Sequence, residues 1–246
     1  MNELDFYNKI GKKIGWNFNQ LQVTAEGQKW DFYEEVKKHC KKTDILLDIG
    51  TGSGENLIKL AEDFHLLVGI DQSPSMIEKA SESAVNAGVN NVRFFNMAAE
   101  HLKFPAQFFH CIISRHAPFD MEEVARMLAD DGIFLTQQVS EADKLNVKET
   151  FGIAQNVEEN DGKLKQRYVA ELEKAGFTEI HAYDYNATEY YQRAEDLLFL
   201  LEHAPIIPNF GKNETDDKNF NTFIHRYQTD KGIRTNEKRF LIIARK

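Results

Sequence analysis

Three glycines and one aspartate carry the most chemical meaning in this sequence. The run LLDIGTGSGEN, residues 46–56, leads a short apolar stretch into Gly50, Gly52 and Gly54, and a helical pattern follows. Glycine takes positive φ readily and lets a ligand approach the main chain without meeting a β-carbon. Amides at the start of the next helix can then face a polar ligand. Asp71 closes the next apolar run, in VGIDQSPSMIEKA, about twenty residues beyond Gly50. A carboxylate at such a strand end can accept hydrogen bonds from both vicinal hydroxyls of a ribose. Together they read as a nucleoside site.

The spacing narrows the choice of nucleoside. A dinucleotide fingerprint requires G-x-G-x-x-G, and its last position would fall on Glu55 or on Leu57 here. A P-loop fails as well, because no Gly-Lys-Ser/Thr ends the run. The loop suits close approach of main chain to a ligand, without a pyrophosphate cradle.

His116, in SRHAPFD after the fourth apolar run, is the best placed candidate base, since its ordinary pKa of about 6.5 lies near working pH. A packing role competes with that reading, and His110 at the start of the same run reads as structural. His101, His203 and His225 show no ligand spacing, so no metal site is expected. Trp16, Trp30, Tyr190, Tyr191 and Phe210 could form an aromatic lid, although aromatics at such spacing often simply pack. Leu197, Leu198, Leu200 and Leu201 form a stripe for a core or a dimer.

The elements that must position these groups alternate. Strands are expected at Ile45–Ile49, Leu66–Ile70, Asn91–Phe95, Phe109–Ser114 and Gly132–Val139, with helices at 56–64, 75–87 and 121–128. That rhythm predicts a parallel sheet covered on both faces. A helix over 163–175 ends at Gly176, a left-handed cap residue. Two late strands, Thr178–Tyr185 and Arg239–Ala244, enclose a long insertion. Upstream, a helical pattern runs from Glu26 to Cys40, with Lys37, Lys38, Lys41 and Lys42 near its end, where cations complement the helix dipole.

Composition sets outer limits. The chain has 246 residues, 42% of them hydrophobic and 11% aromatic, enough for a sizeable core. Its 39 acidic and 30 basic side chains leave a net charge of -9, which disfavours a dedicated nucleic-acid partner. Cys40 and Cys111, the only two cysteines, stand far apart in sequence and argue against a disulfide framework. With no signal-like segment and no span of about 20 apolar residues, the expectation is a soluble cytoplasmic protein, monomer or homodimer.

From residue 44 to about 139, and again in RFLIIARK, the sequence resembles the class I S-adenosylmethionine-dependent methyltransferases, above all the small-molecule type with L-D-I-G-T-G-x-G. The resemblance implies an α/β Rossmann-like three-layer sandwich. Its sheet would have seven strands, mostly parallel, with an antiparallel last strand. Residues 1–43 and an insertion at 187–235 would add a helical cap to the 44–246 domain. It implies S-adenosylmethionine as cofactor. Asp48, Gly50, Thr51, Gly52 and Gly54 would line its methionine and ribose parts. Asp71 would hold the ribose hydroxyls, with Gln72 beside it and Met76 near the adenine. The family's G-D-A-E-x-L-P-F-P segment reads MAAEHLKFP, so Ala98 replaces the acid that meets the adenine amino group. Ala99 and Glu100 remain to reach the ring, and Ser114 and Arg115 would lie by the amino-acid end.

The leading expectation is methyl transfer to a small molecule. An RNA or protein methyltransferase and a non-catalytic cofactor-binding protein stay open; the glycine spacing opposes a nicotinamide oxidoreductase. Residues 1–43 and 187–235 name no acceptor, and no catalytic residue is assigned.

Overall fold

The computed structural model describes residues 21–246. Residues 1–20, Trp16 among them, lie outside the described residues. β1 (Val23–Glu26) and α1 (Phe32–His39) precede the glycine loop. Then come β2 (Ile45–Ile49), α2 (Glu55–Ile58), β3 (Leu66–Asp71), α3 (Pro74–Ala87) and β4 (Val92–Asn96). β5 (Phe109–Arg115), α4 (Met121–Met127) and β6 (Leu128–Val139) complete the parallel half. α5 (Leu145–Thr150), α6 (Val157–Asn160) and α7 (Lys163–Lys174) lead into the long β7 (Glu179–Tyr191). α8 (Ala194–His203), α9 (Asp216–Tyr227) and β8 (Gln228–Thr229) come before β9 (Gly232–Arg245).

The strands form one sheet in the order β1-β7-β9-β6-β5-β2-β3-β4, with β8 paired to β9. β4, β3, β2, β5 and β6 run parallel, and β9 is antiparallel to β6 and to β7. That is the expected α/β arrangement, with an antiparallel last strand and two strands more than expected. β2 has β3 on one side and β5 on the other, so the chain reverses its direction of winding there. Crevices for ligands open at such a point, beyond the carboxy ends of the strands.

Alternation along the strands divides the core. Leu47, Ile49, Ile112, Phe134, Phe240 and Ile242 face one layer with α4 and α7; Leu46, Ile113, Leu135, Leu241 and Ile243 face the other with α1. Each such fully buried side chain contributes about 1.5–3 kcal/mol. Phe32 and Val36, four residues apart, anchor α1, and Asp31 caps it by accepting from the amides of Tyr33 and Glu34. Met76, Ala80 and Ala84 bury one face of α3, whose start is set by the Ser73 cap and Pro74.

Three expectations need correction. The helical pattern from Glu26 does not start a helix; Val23–Glu26 instead pairs with the Thr188–Tyr191 end of β7, and Asp31 starts α1. β7 and β9 pair continuously from Glu179 with Arg245 to Tyr191 with Ile233, so the insertion between them is 192–231, shorter than 187–235. Strand pairing overrode the weak local pattern at both places. Helix 56–64 shrinks to Glu55–Ile58. The two cysteines, distant in sequence, meet across the layers: Cys40 Sγ lies 2.7 Å from Cys111 Sγ, both as free thiols.

The insertion and α5 build a third small core over the projecting β7–β9 arm, with Val147, Tyr191, Leu197, Leu201, Phe223 and Ile233 at its centre. Leu197 and Leu201 therefore serve a core within the chain. Among the described residues no helix is long and apolar enough to cross a membrane.

Candidate functional site

The glycine loop is folded against β3. The amides of Gly50 and Thr51 both donate to the Ile70 carbonyl at 2.9 Å, which turns the chain sharply out of β2. Gly50 has φ +79°, and a β-carbon there would stand 2.2 Å from the Ala117 β-carbon. Only glycine fits both the turn and the approach of the loop after β5. The Asp71 carboxylate reaches back across the turn: one oxygen accepts from the Gly52 amide at 3.0 Å, the other from the Ser73 amide at 2.9 Å. Burial raises the Asp71 pKa, and those two amides oppose the shift.

Between this loop and the turn after β5 opens a cleft with about 750 Å³ of empty space, counting its mouth. That lies within the usual size for a small-molecule site. Of the residues expected here, Gly50, Gly52, Asp71, Gln72, Met76, Ala99, Glu100 and Arg115 line it. Ile49, Ile70, Met97, His116, Ala117 and Pro118 complete the wall. Asp71 and Glu100 place carboxylates on it, while Ile70, Met76, Met97 and Ala99 give it apolar surface.

Five expected residues stand off the wall. Asp48 is 4% exposed, on the strand face opposite Ile49, beneath the loop. Thr51 turns away with its amide on Ile70. Gly54 packs on Phe94 and Ala80, where a β-carbon would come within 2.6 Å of the Phe94 ring. Ala98 is exposed, and the Ser114 hydroxyl is spent on the Ala117 carbonyl at 3.0 Å. These positions shape the loops around the cleft from behind.

Beneath the loop lies a polar cluster. Burial pushes the Asp48 carboxyl up to about 7, and Asp71 adds to this while Thr51 and Arg115 oppose it. The Arg115 guanidinium carbon sits 5.6 Å from the Tyr33 ring centre, and its Nε is buried with no hydrogen-bond partner. A buried guanidinium N–H without an acceptor costs free energy, so this side chain is held under strain beside the cleft.

The turn after β5 is held by three consecutive buried polar residues of β6. Thr136 Oγ1 donates to the Ser114 carbonyl at 3.0 Å, and Gln138 Nε2 to the Ala117 carbonyl at 3.0 Å. Gln137 holds His116, whose amide donates to the Gln137 carbonyl at 2.9 Å and whose φ is +57°. Burial lowers the His116 pKa well below its ordinary value, helped by the cations Arg115, Arg239 and Lys144. The signal for this support is legible in TQQV, a polar triplet that directly follows the apolar run Ile133–Leu135 of the strand.

A buried ionic network runs from there along the β7–β9 arm. Arg239 Nη1 meets Asp143 at 2.5 Å and Lys144 pairs with Glu189. Gln28 donates to Glu237 at 2.5 Å. Asp143 is buried, yet Lys144 and Arg239 hold its pKa below the usual value.

The aromatic lid does not form from the described aromatics. Trp30 packs on Tyr185, with ring centres 4.6 Å apart. Tyr191 and Phe210 belong to the third core, and Tyr190 lies under Lys231. None of these lines the cleft. His110 accepts from the Ile45 amide at 3.1 Å and serves the sheet. Among the described residues no group of three His, Cys, Asp or Glu side chains could hold a metal.

Similarity to known proteins converges on the same segment. Residues 46–132 match a family model described as Methyltransferase domain. The uncharacterized methyltransferase YcgJ of Bacillus subtilis is 35% identical over 125 residues, 48% of this chain and 49% of that protein. The chain thus spans about half the length of the curated relatives it matches. The crystal structure of YcgJ matches with a TM-score of 0.59 at 22% identity, over 87% of this chain and 97% of that one. A functionally unknown protein from Deinococcus radiodurans R1 matches with a TM-score of 0.62 at 17% identity, over 98% and 99% of the two chains. At such identities the structural likeness shows the fold alone. Through residues 46–132, the chain is thus similar to proteins that carry a methyltransferase domain.

Proposed function

We infer that the cleft between the glycine loop and the turn after β5 binds S-adenosylmethionine, and that the protein directs its methyl group to a small-molecule acceptor. The observation that carries this reading is the position of Asp71 on the cleft wall, tied to Gly52. Each Asp71 oxygen accepts one backbone amide and keeps lone-pair capacity, enough for two vicinal ribose hydroxyls. Ile70, Met76, Met97 and Ala99 suit the adenine ring. Gly50 and Gly52 leave main chain open to the methionine part, and the positive charge of Arg115 on the cleft wall suits its carboxylate. The bound cofactor supplies an activated methyl on a sulfonium. The chain aligns and encloses the reactants, an effect worth about 7–11 kcal/mol in well-oriented systems.

The net charge of -9 favours a small acceptor over a polyanion. Calorimetry with S-adenosylmethionine, S-adenosylhomocysteine and NAD tests the cofactor: micromolar binding of the first two and none of NAD is the expected result. Radiolabel from S-adenosylmethionine offered to fractionated cell extract tests the acceptor. Label recovered mainly in RNA or protein would defeat the small-molecule assignment.

A further inference from the structure

The side chains around His116 decide which of its nitrogens carries the proton. Trp30 Nε1 is a donor only, and it lies 2.7 Å from Gln137 Oε1. This orients the Gln137 amide, with oxygen toward the indole and nitrogen toward the imidazole. Gln137 Nε2 stands 3.1 Å from His116 Nε2. An amide N–H needs a lone pair opposite it, so Nε2 is unprotonated and the proton sits on Nδ1. Either the other tautomer or the imidazolium would set two donors head to head.

The charged surroundings agree. Arg115, Arg239 and Lys144 disfavour a positive ring; Arg239 and Lys144 are countered by Asp143, Glu237 and Glu189, while Arg115 makes no salt bridge with a described carboxylate. His116 lines the cleft beside Ala117 and Pro118, and its Nδ1 has no partner among the described residues.

We propose that His116 is a preset neutral hydrogen-bond donor, offering Nδ1–H to a carbonyl or carboxylate oxygen of the methyl acceptor, with Gln137 and Trp30 as positioning residues. The proposal rests on the methyl-transfer reading for its acceptor and on geometry alone for its tautomer. It replaces the expected base role. With Nε2 engaged and Nδ1 protonated, the ring has no lone pair free to take a proton. The acceptor then needs an attacking atom with its own available lone pair, or one acidified by the neighbouring carbonyl that His116 binds.

The test is two-bond ¹H–¹⁵N correlation on histidine-labelled protein between pH 6 and 8, with the His116 signals identified by their loss in His116→Asn. The expected pattern is the neutral Nδ1–H form throughout. In Gln137→Glu a carboxylate oxygen replaces the amide N–H, and the proton should move to Nε2. A wild-type ring protonated at Nε2, or titrating within that window, overturns the proposal.

Transfer of radiolabel to carboxylate- and carbonyl-containing extract fractions gives a second readout, with S-adenosylmethionine affinity measured alongside. His116→Ala should lose about 10- to 100-fold in transfer beyond any loss of affinity. His116→Asn keeps an N–H near the Nδ1 position and should recover most of it. Equal transfer by wild type and His116→Ala overturns the acceptor contact. Wild type that binds no S-adenosylmethionine sinks the methyltransferase reading instead, and the tautomer measurement still decides the His116 assignment.

Discussion

Asp71 and Gly52, nineteen residues apart, are joined by a 3.0 Å hydrogen bond from the Gly52 amide to the Asp71 carboxylate. The group positioned for a ribose also shapes the loop opposite it. Ligand site and fold are therefore coupled at one side chain. Asp71→Ala should cost about 1–3 kcal/mol of stability, because two partly buried amides lose their acceptor. Affinity for S-adenosylmethionine should fall at least tenfold. Denaturant midpoints without ligand and calorimetry with it separate the two effects; full affinity in a folded variant would remove the proposed ribose contact.

Gly50→Ala meets two obstacles, a φ of +79° and a β-carbon 2.2 Å from that of Ala117. Together they should cost about 2–4 kcal/mol. Adding Ala117→Gly removes the clash and leaves the backbone strain, so the double variant should recover only part of the loss. A thermal melt of all three proteins checks this. Strict additivity would show that the two residues do not touch in solution.

Asp48 links stability to pH. Its carboxyl rises from an ordinary 3.8 to about 7 on burial, so the folded state holds a proton that the unfolded state has released. The stabilisation from that proton is fully present below about pH 4 and is lost as pH rises from there to about 7. Asp48→Asn cannot ionise. It should flatten this part of the stability profile and gain on wild type toward pH 8, by a few kcal/mol at most. Urea denaturation at pH 5, 6, 7 and 8 makes the comparison. Parallel profiles for the two proteins would refute the assignment.

Lys144 and Glu189 are a buried pair, each under 9% exposed. Lys144→Met leaves the carboxylate without its cation and should cost about 3–5 kcal/mol. Removing both charges, in Lys144→Met with Glu189→Leu, should cost less than the first change alone. Double-mutant denaturation would expose an error here: a double variant worse than Lys144→Met means that the pair contributes net stability.

Several features were legible because they are local. Ile45–Ile49 is apolar apart from Asp48 and is closed by Gly50, so β2 appears at its expected ends. α8 likewise matches its apolar stripe at Ala194–His203. The turn at Gly50–Gly54 follows from glycine's access to positive φ, which needs no distant partner. By contrast, Asp48 and Ile49 look equally suited to a site beside the glycines. Strand alternation, set by pairing with β3 and β5, sends Asp48 beneath the loop and keeps Ile49 on the cleft wall.

The tertiary structure alone decided which polar groups meet. Nothing in the separation of Trp30, His116 and Gln137 along the chain predicts their hydrogen-bonded relay, because it forms between α1's approach, the turn after β5 and the neighbouring strand β6. The same holds for Cys40 against Cys111 and for Arg239 against Asp143. By itself the sequence determined the succession of elements from β2 to β6, the glycine turn and the acid that closes β3, since each depends on backbone preference or short-range periodicity. Register and layer packing determined the rest, because hydrogen bonds and ion pairs act over a few ångströms of space, whatever the distance along the chain.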